Sequence, residues 1–218
     1  MQKLPLFPLN SVLFPEMPIS LHIFEERYKL MIGRCIEERK PFGVVLIRSG
    51  EEVLGAGPGA EPHLIGCTAE ITQVQRLPMG RLNIVAMGKE RFQILALQND
   101  EPYLTGTVEM APLVNENPVH LDQSGLLLRP WVERYLNVLG QAENVEFDME
   151  QLPKEPLPLA YLAASLLRVD LDDKQDLLTI ESAAGFLQGI RRIYRKEVTL
   201  LEALMTQPSI EEGPFSVN

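Results

Sequence analysis

The chain has 218 residues, 45% of them hydrophobic and 23% charged, with a formal net charge of -10. That length and composition fit one large globular domain or two small ones, and the acidic balance sets the surface field against phosphate backbones, which disfavours general nucleic-acid binding. No run reaches the ~18 apolar residues of a membrane span, Met1-Gln2-Lys3-Leu4-Pro5 does not read as a secretory signal, and Cys35 and Cys67 are too few for a disulfide framework, so a soluble cytoplasmic protein is expected.

Leu4, Leu6 and Leu9 mark a short apolar strand interrupted by Pro5 and Pro8. Proline removes a ladder donor and is confined to edges and bulges, so strands in this region start and stop under tight control. A second apolar stretch, through Phe14-Pro15 and Pro18 to Phe24, leads into a helix opening at Glu25-Glu26-Arg27-Tyr28. Tyr28, Met31, Ile32, Cys35 and Ile36 recur at helical spacing and predict one buried face. Phe42 to Ile47 reads as a buried strand, Gly50 to Gly59 as a loop and Gly66 to Val74 as another strand. Leu77-Pro78-Met79-Gly80 is a turn from which Arg81 to Met87 returns as a hairpin. Gly88-Lys89-Glu90 predicts a further turn before Arg91 to Leu97, and Tyr103 to Met110 supplies one more strand. Six or more short strands with glycine turns predict a closed or strongly curled sheet.

Beyond the polar connection around Pro112 to Ser124 the strand signals stop. Leu127, Leu128, Trp131, Val132, Tyr135 and Leu139 form a helical stripe, in which Pro130 either lies in the first turn or kinks the helix. After an acidic loop from Asn144 to Pro158, Leu159, Leu162, Ala163, Leu166 and Leu167 predict a second helix. Asp170 or Asp172 caps a third, with Gln175 placed to close a capping box on Asp172. A last helix from about Ile180 to Met205 carries Leu187, Ile190, Tyr194, Val198, Leu201 and Leu204 on one side. The expected organisation is a β-barrel domain over residues 1–118, an α-helical bundle over 119–210 and a flexible tail over 211–218, hence an α+β fold class.

Several of these strings resemble one family. LPLFPLNSVLFPEMPISLHIFEERY (Leu4 to Tyr28) is similar to the P-L-x-P-L…F-P…P-L…Y opening of the Lon protease N-terminal domain. Phe42 to Ile47 matches its strand after the first helix, and Ile65 to Ile71 resembles its I-G-x-x-A-x-I motif. Gly80 to Phe92 resembles the stretch ending in G-x-x-R-F, and Lys174-Gln175-Asp176-Leu177-Leu178 its K-Q-x-L-L. The likeness covers nearly the whole chain in order. It implies a PUA-like β-barrel, with one main helix, followed by a helical bundle. The ATPase and Ser-Lys peptidase modules of full Lon proteases find no counterpart: the only Gly-Lys pair, Gly88-Lys89, is followed by glutamate, so no phosphate loop exists. The resemblance is to a stand-alone substrate-binding-domain protein.

Candidate chemistry is sparse. Gly55 to Ala60 formally satisfies G-x-G-x-x-A, but Pro58 and Pro62 forbid the helix start that would hold a pyrophosphate, and a surface loop explains the string better. His22, His63 and His120 have no i, i+4 partner, and Cys35 and Cys67 sit in apolar patterns, so neither a metal site nor a catalytic thiol is expected. Asp170, Asp172, Asp173 and Asp176 lack the order of a calcium loop. Arg191, Arg192, Arg195 and Lys196 form a basic stripe that reads as a solvated face or a partner contact. Apolar residues at turns are the more telling feature: Val12, Leu13, Phe14, Met17 and Ile19 in the second stretch, and Met79 at a turn tip, suit adaptable contact with unfolded polypeptide. The expectation is a non-enzymatic polypeptide-recognition module, without cofactor or metal, holding exposed apolar client segments in the cleft between barrel and helices, with presentation of them to a separate protease expected by analogy alone. An RNA-associated PUA-like protein is the second reading and an uncharacterised enzyme the third.

Overall fold

A computed structural model of the chain describes residues 1–50, 61–115 and 117–206. The Gly55 to Ala60 string, nearly all of the expected Gly50 to Gly59 loop and the expected 211–218 tail lie outside those residues. Strand β1 (Gln2–Leu9) is followed by β2 (Pro18–Ile23), helix α1 (Glu26–Glu38), β3 (Phe42–Ser49), the short β4 (Glu61–Pro62), β5 (Ile65–Arg76), β6 (Leu82–Gln98) and β7 (Thr105–Met110). Pairing runs β1-β7-β6-β5-β3 and returns to β1 through a parallel contact in which Leu6 faces Gly43 and Leu9 faces Leu46. The sheet therefore closes into a barrel, which removes the edges of the ring. Outside it ride β2, antiparallel on the first half of β6, and the short β4 on β3.

Alternation along the strands sorts side chains into two sets. Leu4, Leu6, Val45, Phe92, Ile94 and Val108 fill the interior. A Cβ on Gly43 or Gly66 would lie 2.7 Å from Phe92 Cζ, so those two glycines make the space the phenyl ring occupies. The outer set, Phe7, Leu9, Phe42, Val44, Cys67, Ala69, Ile84 and Ala86, is covered by Tyr28, Met31, Ile32 and Cys35 of α1. These are the α1 residues whose spacing predicts a buried face; Ile36 is half-buried at its margin.

The expected turn at Gly88-Lys89-Glu90 is not a turn. β6 runs unbroken through it, and the ladder instead shifts register: Ala69 faces Gly88 whereas Cys67 faces Arg91. This is a β-bulge, two residues against one, and it exchanges the faces of the strand. Ile84 and Ala86 point toward α1 before it, while Phe92 and Ile94, of the same parity, point into the barrel after it. Thr68 Oγ1 accepts from the Glu90 N–H at 3.0 Å and donates to the Glu90 carbonyl at 3.3 Å, satisfying groups that the bulge takes out of the ladder.

The second half is helical: α2 (Pro118–Glu143), α3 (Pro156–Leu166), α4 (Leu171–Thr179) and α5 (Ala183–Thr206). Asn117 caps α2 by accepting from the His120 N–H at 3.2 Å, and Pro118 occupies the first turn. Pro130 lies well inside α2, not in its first turn. The early start fixes the buried face on Leu121, Leu128, Val132, Tyr135 and Leu139, leaving Leu127 one step off it and 55% exposed. Leu204 is also exposed, past Val198, the last fully buried residue of α5. Contacts between α2 and α5 advance together (His120 near Gln188, Trp131 near Arg195, Arg134 on Glu202), so these helices run parallel, with α3 and α4 in between in sequence. Tyr194 OH donates to the Ala163 carbonyl at 2.9 Å and ties α3 to the pair. Asp170 precedes α4 without a side-chain cap, and Gln175, expected to close a capping box, is 2% exposed. Its Nε2 donates instead to the Ile65 carbonyl of β5 at 3.0 Å, tying bundle to barrel.

Candidate functional site

The connection over residues 10–17 begins where β1 ends and meets both hydrophobic cores. Leu13 belongs to the barrel core, and Phe14, 1% exposed, to the helical core, its ring 6.0 Å from that of Phe186. Glu16 adopts the left-handed conformation, φ 63°, which turns the chain back onto β6. The Glu16 N–H donates to the Gly88 carbonyl and the Gly88 N–H to the Met17 carbonyl, both at 2.9 Å. A Cβ at Gly88 would run into the Phe14 carbonyl oxygen and lie 3.2 Å from Leu13 Cγ, so the bulge and the connection fit only because residue 88 is glycine. Met17 and Val12 are half-buried against the helical core, and Ser165 Oγ contacts Met17 Sδ at 3.3 Å.

This corrects the expectation of one exposed apolar patch. Leu13 and Phe14 occupy the seam between barrel and bundle, because hydrophobic residues between two apolar faces gain more by burial than by exposure. Those two side chains are therefore not exposed to a client there. Ile19 is half-buried over the α1 side of the sheet. Met79 is 77% exposed at the other end of β2 from Met17, beside the β5–β6 turn. The structure thus separates Met79 from the other five.

Another exposed apolar residue, Phe24, lies at the Met79 end of β2. Phe24, 52% exposed, directly follows β2, whose Ile23 pairs with Leu82 just after the turn; Val74 of β5, 41% exposed, faces Ile84 of β6 and so lies on the other, α1 side of the sheet. His22 stacks on Phe24 with ring centroids 5.9 Å apart. Met79 takes φ 60°, ψ 32°, a left-handed conformation uncommon for a residue with a side chain. Lys29 Nζ donates to the Met79 carbonyl at 3.0 Å and Arg81 Nε to that of Pro78 at 3.2 Å, pinning the strained turn. Next to this tip lies the open edge of β2, which pairs with β6 alone. With Met17 bonded to Gly88, antiparallel alternation directs Ile19, Leu21 and Ile23 to β6 and leaves the backbone groups of Ser20 and His22 facing outward. His22 and Phe24 alternate on one face in the sequence, the one signal that could have added Phe24 to Met79.

Residues 3–192 match the family model of the ATP-dependent protease La (LON) substrate-binding domain. The chain belongs to that family. It is 26% identical over 198 residues to Lon protease 1 of Hydrogenovibrio crunogenus, covering 89% of this chain and 24% of that protein. It is 27% identical over 205 residues to the Lon protease of Heliobacterium modesticaldum, covering 92% and 25%. The chain spans about a quarter of the length of these Lon relatives. Among solved structures, a Lon N-terminal domain protein from Xanthomonas campestris is 25% identical with a TM-score of 0.60, covering 86% of this chain and 96% of that one. The N-terminal domain of the Mycobacterium avium complex Lon protease shares the fold at 17% identity and a TM-score of 0.65, covering 89% and 98%.

Within this Lon-family fold, no three His, Cys, Asp or Glu side chains among the described residues converge as metal ligands, and no helix is long and apolar enough to cross a membrane. Burial pushes the Cys35 thiol up to about 11 and the Cys67 thiol to about 12, so both are protonated and poor nucleophiles at neutral pH. Arg91, which the bulge aims away from the barrel interior, is 4% exposed, and burial lowers its pKa. Its Nε and Nη1 meet no hydrogen-bond acceptor among the described residues.

Proposed function

We propose that the protein is a non-enzymatic polypeptide-recognition module, binding exposed apolar segments of client proteins without nucleotide, metal or covalent chemistry. The observation that carries this reading is the match of residues 3–192 to a Lon substrate-binding domain. The client lies extended along the free edge of β2, where outward backbone groups at Ser20 and His22 add a strand, while Phe24 and Met79 take its apolar side chains. Met17, Ile19 and Val12, half-buried along the same strand and its approach, supply the margin of the surface; Leu13 and Phe14 hold the fold. A methionine on a rigid, strained turn suits varied sequences, because its thioether chain adapts to the shapes it meets. Handing clients to a separate protease follows by analogy with the Lon relatives.

Titration of fluorescently labelled unfolded casein measures this directly. Saturable binding is expected, weakened about tenfold by Met79→Asp or Phe24→Asp, as for central apolar anchors of an interface. Absence of saturable binding, together with no suppression of aggregation, would overturn the reading.

A further inference from the structure

The basic stripe of α5 is not absorbed by client binding at the barrel. Arg191, Arg192, Arg195 and Lys196 line one wall of a groove of about 770 Å³, with Trp131 of α2 and Ile180 also lining it. In a chain of net charge -10, cations normally find acids. Ten of the other sixteen Lys and Arg residues form ion pairs. Among the described residues, none engages these four. The helix makes matters worse, since Arg191 and Arg195 are like charges at i, i+4, as are Arg192 and Lys196. Glu197, the one acid nearby on the helix, does not line the groove. The fold thus sustains a standing repulsion that an incoming anion would relieve.

The groove is also partly apolar. Trp131 is half-buried, with the Arg195 guanidinium 5.6 Å and the Arg134 guanidinium 5.7 Å from its ring centroid. Arg134 is held by two hydrogen bonds of 2.7 Å to Glu202, so of the two guanidinium groups near the indole one is fixed and the other, of Arg195, is free of ion pairs. We infer that this groove docks an acidic polypeptide segment carrying an apolar residue among its carboxylates, the carboxylates on the four cations and the apolar residue against Trp131 and Ile180. A nucleic acid fits less well. The cations span roughly 8 Å of helix at 1.5 Å per residue, and beyond them the field of an acidic protein repels a uniformly charged backbone. The groove would thus recruit acidic partners or acidic client segments independently of the β2 edge.

Trp131 is the only tryptophan in the chain, so its fluorescence reports on the groove itself. The probe is a synthetic peptide with four glutamates around two leucines and no aromatic residue, compared with the same peptide carrying glutamines and with an oligouridine. A saturable change is expected with the glutamate peptide alone, its dissociation constant rising steeply with salt. It should rise about tenfold or more in the double charge reversal Arg192→Glu/Lys196→Glu, from the reversed Coulomb interaction. Both side chains are exposed, and an unchanged circular dichroism melt shows the variant folded. No saturable signal, an equal response to the glutamine peptide, or undiminished affinity in the variant would each overturn the inference. Tighter binding of the oligouridine through the same residues would replace the partner class. Casein binding retained in the charge-reversed variant would separate this site from the one on the barrel.

Discussion

At the scale of single residues, two side chains hold conformations or environments that cost stability. Met79 holds a left-handed backbone that costs an L-residue roughly 1 kcal/mol, and asparagine tolerates that region far better. Met79→Asn is expected to raise stability by up to about 1 kcal/mol while weakening client binding, seen as a higher urea midpoint beside a poorer casein titration. A variant that binds casein as well as the parent would show that the strain serves no recognition. Arg91 is the second case. A guanidinium buried with two unbonded nitrogens bears a desolvation cost that the nearby Glu181 carboxylate only partly offsets. Arg91→Met keeps most of the side-chain volume and removes the charge, and is expected to be neutral or to stabilise by about 1–4 kcal/mol. A loss of stability in chemical denaturation would mean that the charge has a partner after all.

At the scale of elements, the sequence was legible wherever a local pattern decided the outcome. The α1 face, the strands from Phe42 and Ile65, and the turn ending in Gly80 follow from period and punctuation, and the structure places them close to the expected bounds. Where residues far apart decide, the local signal misled. Gly88-Lys89-Glu90 looks like a turn because glycine is the usual mark of one, yet glycine is needed there for the approach of Phe14, which lies 74 positions earlier (88 less 14). Gln175 has the spacing of a capping box but bonds a strand 110 residues away. The candidate site suffered in the same way: Met79 was legible as an apolar turn tip, whereas the burial of Leu13 depends on strands far along the barrel, and that of Phe14 on a helical core, which no local pattern around residue 13 announces. Gly88→Ala tests the bulge. The added methyl group collides with backbone that cannot swing aside, so a loss of about 2–4 kcal/mol is expected, read from denaturant midpoints. A loss below about 1 kcal/mol, the ordinary range for an unremarkable surface change, would show that the connection can move off β6.

At the scale of the whole molecule, the question is whether barrel and bundle are separate folding units, as the change from strands to helices near residue 118 leads one to expect. Three ties argue for one unit. Phe14 is delivered by the barrel into the helical core, Gln175 by the bundle onto β5, and the segment after β7 is bonded to the start of α5, the Val114 N–H donating to Glu181 and the Ala183 N–H to Val114 at 2.8 and 2.9 Å. If the bundle unfolds, Phe14 loses its pocket and β5 a partner, so each half carries part of the other's stability. A single cooperative transition follows, with Trp131 fluorescence in the bundle and hydrogen exchange of β6 amides in the barrel reporting the same free energy. Phe14→Ala then becomes informative beyond its size. Removing a fully buried phenyl ring costs about 3–5 kcal/mol, and in a coupled molecule that loss must appear equally at both probes although the cavity lies on the helical side. A bundle that melts early in Phe14→Ala while β6 exchange stays as slow as in the parent would show instead that the two halves fold independently and that the seam is a mere contact.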